Sequence, residues 1–312
     1  MVNSMGFEGS EKKLEVMLVP GHSSLRKRGR EFWNGIVEAS EASILSTISN
    51  QHCDAFLLSE SSLFVWDDRF VMITCGQTQL INSLVLFCES YNREDFKSLI
   101  FQRKNEYFSH LQKSTFESDR KKLELLFPGH TYQIGQLDGH HNLLFHMEGE
   151  LCPDADDCTS ELLMYHMEGE AVSVFRREGA SLESVRGLLD LAGLFPEFKT
   201  DDHLFEPWGY SLNGIFEDRY ITFHVTPEQH SSYISFETNL KLEEHSELFT
   251  KILEVFQPQS FDIVHFHERE LPSFGERYQL AGGTNDRLEC GYPIKFGHFI
   301  KRQLNLGKAL RL

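Results

Sequence analysis

Hydrophobic and polar residues follow two periods along this chain, and these predict strands and helices. Short runs that are apolar or alternate at every second position predict strands at Lys13–Val19, Ala55–Leu58, Leu63–Trp66, Phe70–Thr74, Lys97–Phe101, Tyr220–Val225, Tyr233–Glu237 and Asp262–His267. Three segments repeat their apolar residues every three or four positions, which predicts helices at Glu31–Ala42, Gln79–Tyr91 and His245–Phe256. The chain is therefore predicted to be rich in both sheet and helix.

The order of these predicted elements occurs twice. Strand, polar gap, helix and strand follow one another in the first half of the chain, and the second half repeats this order. The two halves share little sequence identity, so the repeat is visible only in the order of the elements. It predicts an internal duplication.

One strand-like stretch, residues 55–65 (AFLLSESSLFV), is interrupted at its centre by Ser59-Glu60-Ser61-Ser62. The interruption contains no Gly, Pro or Asn to make a hairpin turn. A polar kink or bulge in a strand is the ordinary explanation. The second explanation is chemical, because a serine hydroxyl can attack the carbonyl that precedes it.

Such an attack would convert the Glu60–Ser61 amide to an ester. Removal of the Ser61 Hα would then expel the acyl group by β-elimination, and hydrolysis of the dehydroalanine would leave a pyruvoyl group. The reaction needs a strained or well-held backbone, a group that stabilises the tetrahedral intermediate, and a base. Taken alone, SESS leaves both explanations open.

Composition narrows the classes of partner. The 312 residues carry a formal net charge of −17, which argues against nucleic acid and suits a cationic small ligand. No apolar run is long enough to span a membrane and no signal peptide is apparent, so we expect a cytoplasmic protein. The six scattered cysteines indicate reduced thiols. The basic run RKRGR (26–30) and the acidic run EGELCPDADD (148–157) are expected to be surface loops.

Several blocks together resemble the eukaryotic-type S-adenosylmethionine decarboxylases. They are GFEGSEKKLE, LLSESSLFV, RFVMITCGQT, EPWGYSLNG and HVTPEQHSSYISFETN, in the family's order and close to its spacing. The resemblance extends from Phe7 to about Phe266. It implies a single α+β domain, a four-layer α/β/β/α sandwich of two mainly antiparallel sheets with helices outside. The implied activity is pyruvoyl-dependent decarboxylation of S-adenosylmethionine for spermidine and spermine synthesis.

The resemblance also implies how the cofactor forms. Glu60 and Ser61 match the cleavage pair, so that residues 1–60 become a small subunit and residues 61–312 a large one that starts with the pyruvoyl group. His224 matches the residue that removes the Hα of Ser61, and Ser211 the residue that steadies the intermediate. We expect the two subunits to stay associated, with a dimer of the pair as a further expectation. No metal is implied.

Further matches concern the substrate. Cys75 matches the family's proton donor, and a thiol can reprotonate the carbanion that CO₂ loss leaves. Glu8 and Glu11 match active-site acids. The substrate-binding matches are Phe7 and Phe205, which stack on adenine, and Glu228, which holds the ribose hydroxyls. Aromatic faces suit a cationic sulfonium, and a carboxylate suits a diol.

An acidic cluster matches the site at which animal members bind putrescine as an activator. Its residues are Glu15, Asp157, Thr159, Glu161 and Glu237. A dication would offset carboxylates that are costly to bury. The chain departs from the family at Ile73, where activated members often carry a basic residue, and at Trp208, where a cysteine is frequent. The first departure leaves stimulation by putrescine open.

Two other functions are alternatives at this stage. One is a pyruvoyl-dependent decarboxylase of arginine or ornithine, although a bare amino acid needs neither an adenine clamp nor a ribose carboxylate. The other is a catalytically dead homologue that activates a partner subunit. The presence of Ser61, His224, Ser211 and Cys75 argues against it.

Overall fold

The fold is seen in a computed structural model. It describes residues 11–106, 109–136, 139–149, 153, 157–176, 179–206, 208–227, 232–241, 244–245 and 247–303. Among these residues, no helix has the length and apolar character needed to cross a membrane.

The first half of the chain forms an eight-stranded antiparallel sheet. Its strands are β1 (Lys12–Leu18), β2 (Ile44–Ser49), β3 (Asp54–Leu58), β4 (Ser61–Val65), β5 (Arg69–Thr74), β6 (Phe96–Lys104), β7 (Gly129–Gly135) and β8 (His141–Met147). Its helices are α1 (Gly29–Ala39), α2 (Leu80–Cys88) and α3 (Phe116–Leu126), with short 3-10 helices at Leu25–Arg28, Arg93–Asp95 and Ser109–Leu111. The strand order is β2-β3-β4-β5-β1-β6-β8-β7.

The second half forms a second eight-stranded antiparallel sheet. Its strands are β9 (Thr159–Tyr165), β10 (Lys199–Leu204), β11 (Tyr210–Phe216), β12 (Arg219–Thr226), β13 (Tyr233–Thr238), β14 (Ser260–Phe266), β15 (Tyr278–Arg287) and β16 (Pro293–Lys301). Its helices are α4 (Glu170–Phe175), α5 (Leu182–Leu189), α6 (Leu191–Leu194) and α7 (Leu248–Phe256). The order β10-β11-β12-β13-β9-β14-β16-β15 repeats that of the first sheet strand for strand, which agrees with the predicted duplication.

Apolar cores on both faces of each sheet produce four layers. One core packs α1–α3 on the first sheet, with Trp33, Ile36 and Val37 supplying the buried face of α1. A matching core packs α4, α5 and α7 on the second sheet. Smaller cores fill the space between the sheets, among them one that contains Phe64 and Tyr220. The expected α/β/β/α sandwich is therefore confirmed.

This layering buries the central strands completely, including their polar residues. All five residues of β4 and all seven of β9 are buried. Serines, histidines and ionised residues on these strands therefore lie between the sheets, away from water, and need partners there. The space between the sheets is where the predicted site residues are found.

The two halves are also joined by a buried carboxylate. Asp262 on β14 is fully buried, and its oxygens lie 2.8 Å from Asn105 Nδ2, 2.8 Å from His140 Nδ1, 2.9 Å from the Tyr165 hydroxyl and 2.7 Å from His298 Nδ1. Asn105 and His140 come from the first half and Tyr165 and His298 from the second. The carboxylate thus connects both halves near one end of the sheets.

Two local predictions are corrected. The polar interruption is shorter than SESS, because only Ser59 and Glu60 form the turn while Ser61 and Ser62 begin β4. The run RKRGR is helical rather than a loop, since it spans a 3-10 helix and the start of α1. Its first member, Arg26, forms a bidentate pair with Asp54 that anchors this segment to β3.

Candidate active site

Ser61 occupies a strained backbone position directly after the turn of a tight hairpin. The hairpin joins β3 to β4, and Leu58 pairs with Ser61 across it. Ser61 has φ of 127°, in a region that favours glycine and is costly for a residue with a side chain. This torsion is at the N–Cα bond, next to the Glu60–Ser61 amide. The backbone strain therefore lies beside the bond that the sequence predicts to be cleaved.

The Glu60 carbonyl faces two hydrogen-bond donors of Cys75, the residue that directly follows β5. The backbone N–H of Cys75 donates to this oxygen at 3.1 Å, and the Cys75 thiol lies 3.6 Å from it. The register that pairs Ser61 with Thr74 brings Cys75 to this position. A backbone N–H aimed at a carbonyl can stabilise the negative charge that develops there during nucleophilic attack.

His224 reaches Ser61 from the opposite sheet. Its Nε2 lies 2.9 Å from Ser61 Oγ, and its Nδ1 lies 2.9 Å from Ser211 Oγ. Ser211 and His224 are paired across β11 and β12, which holds their side chains on the same face. Burial lowers the pKa of His224 to about 4, so the imidazole is neutral at pH 7 and can accept a proton.

Three further residues, not identified from the sequence, complete this network. Thr222 Oγ1 and Ser62 Oγ lie 2.9 and 3.3 Å from His224 Nε2, and Asn213 contacts both hydroxyls. The signal for Thr222 was its two-residue spacing from His224 on a strand, which places both side chains on one face.

Cys75 remains protonated in this environment. Burial raises the pKa of its thiol, and the neighbouring Glu60 carboxylate raises it further. A protonated thiol beside Ser61 is suited to donating a proton. Nearby, Lys12 Nζ donates to the Gly76 carbonyl at 2.7 Å, and burial together with the charge of Arg103 lowers the Lys12 pKa to about 8. Lys12 was not singled out from the sequence.

Of the remaining predicted site residues, Glu11 and Phe205 lie among the described residues. Glu11 is buried, lies 3.2 Å from the Tyr233 hydroxyl and also accepts from Ser235. Phe205 is half-buried in the loop between β10 and β11, with its ring 4.7 Å from that of His203. Phe7, Glu8 and Glu228 lie outside the described residues. The adenine clamp and the ribose carboxylate therefore stay predictions.

Two lysines occupy the centre of the predicted diamine cluster. Lys13 Nζ lies 2.8 Å from Glu237 and 3.0 Å from Glu161, while Lys104 Nζ lies 3.1 Å from Glu161 and 3.3 Å from Glu11. All of these side chains are almost fully buried. Burial alone would lower the pKa of Lys13, but the carboxylates of Glu237 and Glu161 raise it above its ordinary value. Burial would likewise lower the pKa of Lys104, but the carboxylates of Glu161 and Glu11 raise it above its ordinary value. Both lysines therefore carry charge inside the protein.

The sequence around Lys13 contains a signal for a buried, paired lysine. Lys13 begins a predicted strand and Lys12 directly precedes it, so in a strand that includes both, as β1 does, their side chains point to opposite faces. A strand covered on both faces must then bury both lysines, and a buried lysine requires carboxylate partners. Ile73 lies opposite Lys13 in the register of β1 and β5 and is buried among apolar residues.

The outer members of the diamine cluster line a separate cavity of about 480 Å³. Glu15, Asp157 and Thr159 contribute to its wall, together with Trp66 and Tyr220. Lys13 Nζ lies 3.9 Å from Glu15. Burial raises the pKa of Glu15, and the nearby Lys13 opposes that effect. The five predicted diamine residues therefore fall into two groups. Glu161 and Glu237 are already paired with Lys13 and Lys104, whereas Glu15, Asp157 and Thr159 line the open cavity.

The second departure from the family pattern lies at the surface. Trp208, in the loop before β11, is 48% exposed. Three residues away in the sequence, Phe205 donates its backbone N–H to the Gly209 carbonyl. Trp208 is therefore on the loop that carries the predicted adenine-stacking residue.

Comparison with known proteins places this geometry in one family. A family model described as adenosylmethionine decarboxylase matches residues 4–295. Proteins named S-adenosylmethionine decarboxylase proenzyme are 34% identical in Leishmania donovani, over 92% of this chain and 79% of the relative, and 32% identical in Drosophila melanogaster, over 92% and 87%.

A solved structure agrees with the sequence comparison. A crystal structure of Trypanosoma brucei AdoMetDC-delta26 monomer is 25% identical and aligns with a TM-score of 0.61, covering 77% of this chain and 99% of that one. The Dictyostelium discoideum proenzyme is 32% identical over 86% of this chain and 76% of the relative. Matches of this extent, together with the two repeated sheets, show that the chain belongs to the adenosylmethionine decarboxylase family.

Proposed function

We propose that this chain is a proenzyme that cleaves itself between Glu60 and Ser61 and then decarboxylates S-adenosylmethionine. The observation that carries the proposal is the strained, buried Ser61, with His224 at its hydroxyl and the Cys75 N–H on the preceding carbonyl. These are the three requirements of an acyl shift followed by elimination. Relatives in the family carry the name proenzyme.

The first step is the N→O acyl shift. Ser61 Oγ attacks the Glu60 carbonyl carbon, the oxygen of that carbonyl takes negative charge, and the Cys75 N–H stabilises it. The carbon–nitrogen bond then breaks, and the nitrogen takes up the proton that the hydroxyl lost. The product is an ester between Glu60 and Ser61 with a free amine on Ser61. Backbone strain at Ser61 favours this step, because breaking the amide releases the constraint.

The second step is β-elimination. Neutral His224 removes the Hα of Ser61, the Cβ–Oγ bond breaks, and Glu60 leaves as a carboxylate. Ser211 contacts the opposite ring nitrogen, so we assign it to holding His224 in place rather than to direct contact with the intermediate. The resulting dehydroalanine tautomerises and takes up water, releasing ammonia and leaving a pyruvoyl group.

The site's own residues suit this group. A pyruvoyl carbonyl supplies the electron sink for decarboxylation. Cys75, kept protonated by burial, can return a proton to the substrate carbon. Phe7 and Phe205 are proposed to stack on adenine, Glu228 to accept from the ribose hydroxyls, and Glu8 and Glu11 to act as acids near the reacting centre.

The two products would remain together after cleavage. Residues 1–60 contain β1, β2 and β3, and β1 lies between β5 and β6 in the middle of the first sheet. Its hydrogen bonds to both neighbours do not involve the cleaved bond. We therefore propose a single domain of two associated subunits. A dimer of this pair and a cytoplasmic location remain expectations.

We also propose that Lys13 replaces one end of the diamine activator. Its ammonium contacts Glu161 and Glu237, the inner members of the predicted putrescine cluster. Lys104 in turn pairs with both Glu161 and Glu11. Because the carboxylates already have cations, the wild-type enzyme should not depend on putrescine.

The cleavage proposal predicts that purified protein separates into two chains split between Glu60 and Ser61. The larger chain should have a blocked N-terminus that reacts with carbonyl reagents. Ser61→Ala lacks the nucleophile and should remain one chain. Intact mass spectrometry under denaturing conditions measures both results, with Ser59→Ala as a matched control that should still cleave. An active wild type that remains one chain contradicts the proposal.

The role of His224 predicts that His224→Ala stops after the acyl shift. The ester should then accumulate, and hydroxylamine should cut it into the two chains. Because the imidazole acts in its neutral form, processing of the wild type should slow as the pH falls through about 4. His203→Ala, on the neighbouring strand β10, should mature normally. Wild-type maturation rates in His224→Ala would show that the assignment is wrong.

Substrate recognition predicts that Glu228→Ala turns over S-adenosylmethionine more slowly. Unpaired ribose hydroxyls cost about 1–3 kcal/mol, which corresponds to a loss of about one to two powers of ten in kcat/KM. The measurement is release of labelled CO₂, with Glu247→Ala as an exposed control. Methionine, arginine and ornithine should be poor substrates. Faster release from arginine or ornithine than from S-adenosylmethionine would instead support a decarboxylase of those amino acids.

The lysine proposal predicts that Lys13→Met makes the enzyme dependent on diamine. Removing one partner of a buried ion pair costs about 3–5 kcal/mol, so the variant should melt at a lower temperature and lose activity. Added putrescine should restore both in the variant and change neither in the wild type. Thermal unfolding and CO₂ release measure this, with exposed Lys27→Met as the control. Stimulation of the wild type by putrescine, or a variant that putrescine does not rescue, contradicts the assignment.

A further inference from the structure

We propose that Asn213 is a positioning residue for self-processing, which acts through the hydroxyls of Ser62 and Thr222 to hold His224 against Ser61. The inference rests on the proposed self-cleavage. It adds a residue that touches neither the cleaved bond nor the imidazole directly.

Asn213 is anchored across the space between the two sheets. It lies on β11 of the second sheet and is fully buried. Its Nδ2 donates to the carbonyl of Phe56 on β3 of the first sheet, at 3.0 Å. A carbonyl can only accept, so this bond sets the orientation of the amide and turns Oδ1 toward His224. The side chain thereby joins the strand before the cleavage site to the strand next to His224.

The Oδ1 atom then controls two hydroxyls. Ser62 Oγ donates to it at 2.6 Å and Thr222 Oγ1 at 3.1 Å. The same two hydroxyl oxygens lie 3.3 and 2.9 Å from Nε2 of His224. Each hydroxyl has a single proton, so the acceptor that takes it determines how the oxygen faces the ring. Asn213 thus fixes the hydroxyls that surround the nitrogen facing Ser61.

The amide also has the correct charge for this position. Only a neutral imidazole can remove the Hα. Besides burial, the charges that act on the pKa of His224 are Glu11, which raises it, and Lys104, which lowers it. An amide accepts both hydroxyl protons without favouring the imidazolium. A carboxylate of the same shape would accept the same hydrogen bonds, but its negative charge, one hydroxyl away from Nε2, would favour the protonated ring. Replacing Asn213 by aspartate therefore separates the effect of the hydrogen bonds from the effect of the charge.

The test follows processing of the full chain made by cell-free translation, with the two products resolved by mass between pH 5 and 8. The wild type should cleave at a constant rate over this range. Asn213→Asp should cleave near the wild-type rate at pH 8 and lose activity below about pH 5 to 7, because an adjacent negative charge raises a histidine pKa by about 1 to 3. Asn239→Asp, at a buried asparagine directly after β13, should leave the profile flat.

Two further substitutions test the hydroxyls. Asn213→Ala should slow processing at every pH by about tenfold or more and leave hydroxylamine-sensitive ester. Thr222→Val removes the hydroxyl at nearly constant volume and should also slow elimination, whereas Thr222→Ser should restore it.

The outcomes separate this inference from the function on which it rests. A wild type that remains one chain overturns self-cleavage itself. If the wild type cleaves and the pH profile of Asn213→Asp is the same as that of the wild type, only the role of Asn213 is overturned. A loss in Asn213→Asp that is equal at every pH contradicts it too, because a purely structural defect would produce that result.

Discussion

The contact between Ser61 and His224 depends on two sheets being held face to face. Each residue belongs to a different half of the duplicated fold, and each is buried. Neither half could form the centre alone, because one supplies the strained hairpin and the other the imidazole. Polar cross-links at the same level, such as that from Asn213 to Phe56, keep the separation of the sheets fixed. The proposed processing chemistry therefore depends on how the duplicated halves pack.

The same burial creates the charge cluster beside this centre. Glu161 and Glu237 face the inside of the sandwich, where an uncompensated carboxylate is costly. A free dication or a lysine can remove that cost, and Lys13 and Lys104 lie in contact with these acids. A tethered cation pays no entropy of association, unlike a diamine from solution. The proposed independence from putrescine follows from having the cation built into β1.

Sequence patterns predicted the strands around Ser61 and the duplication, because buried strands carry strong apolar signals. Polar or exposed strands such as β2 and β15 escaped prediction, since their pairing rather than their composition defines them. The buried strands β9 and β11 also escaped prediction, because buried polar residues such as Glu161 and Asn213 interrupt their apolar patterns. SESS was located correctly, but its division into a two-residue turn and the start of β4 depends on hairpin register. Asn213 and Lys13 escaped as well. The role of Asn213 comes from contacts with distant strands, which no local pattern contains, and the carboxylate partners of Lys13 likewise come from other strands.

Burial shifts two pKa values in opposite directions, and both shifts serve the proposed reaction. A low-dielectric interior disfavours whichever form is charged. For His224 the disfavoured form is the imidazolium, so its pKa falls to about 4 and a base is available at neutral pH. For Cys75 it is the thiolate, so its pKa rises and a proton donor is available. A more open site would weaken both effects together. Burial within the closed sandwich thus accounts for both the neutral base and the protonated acid.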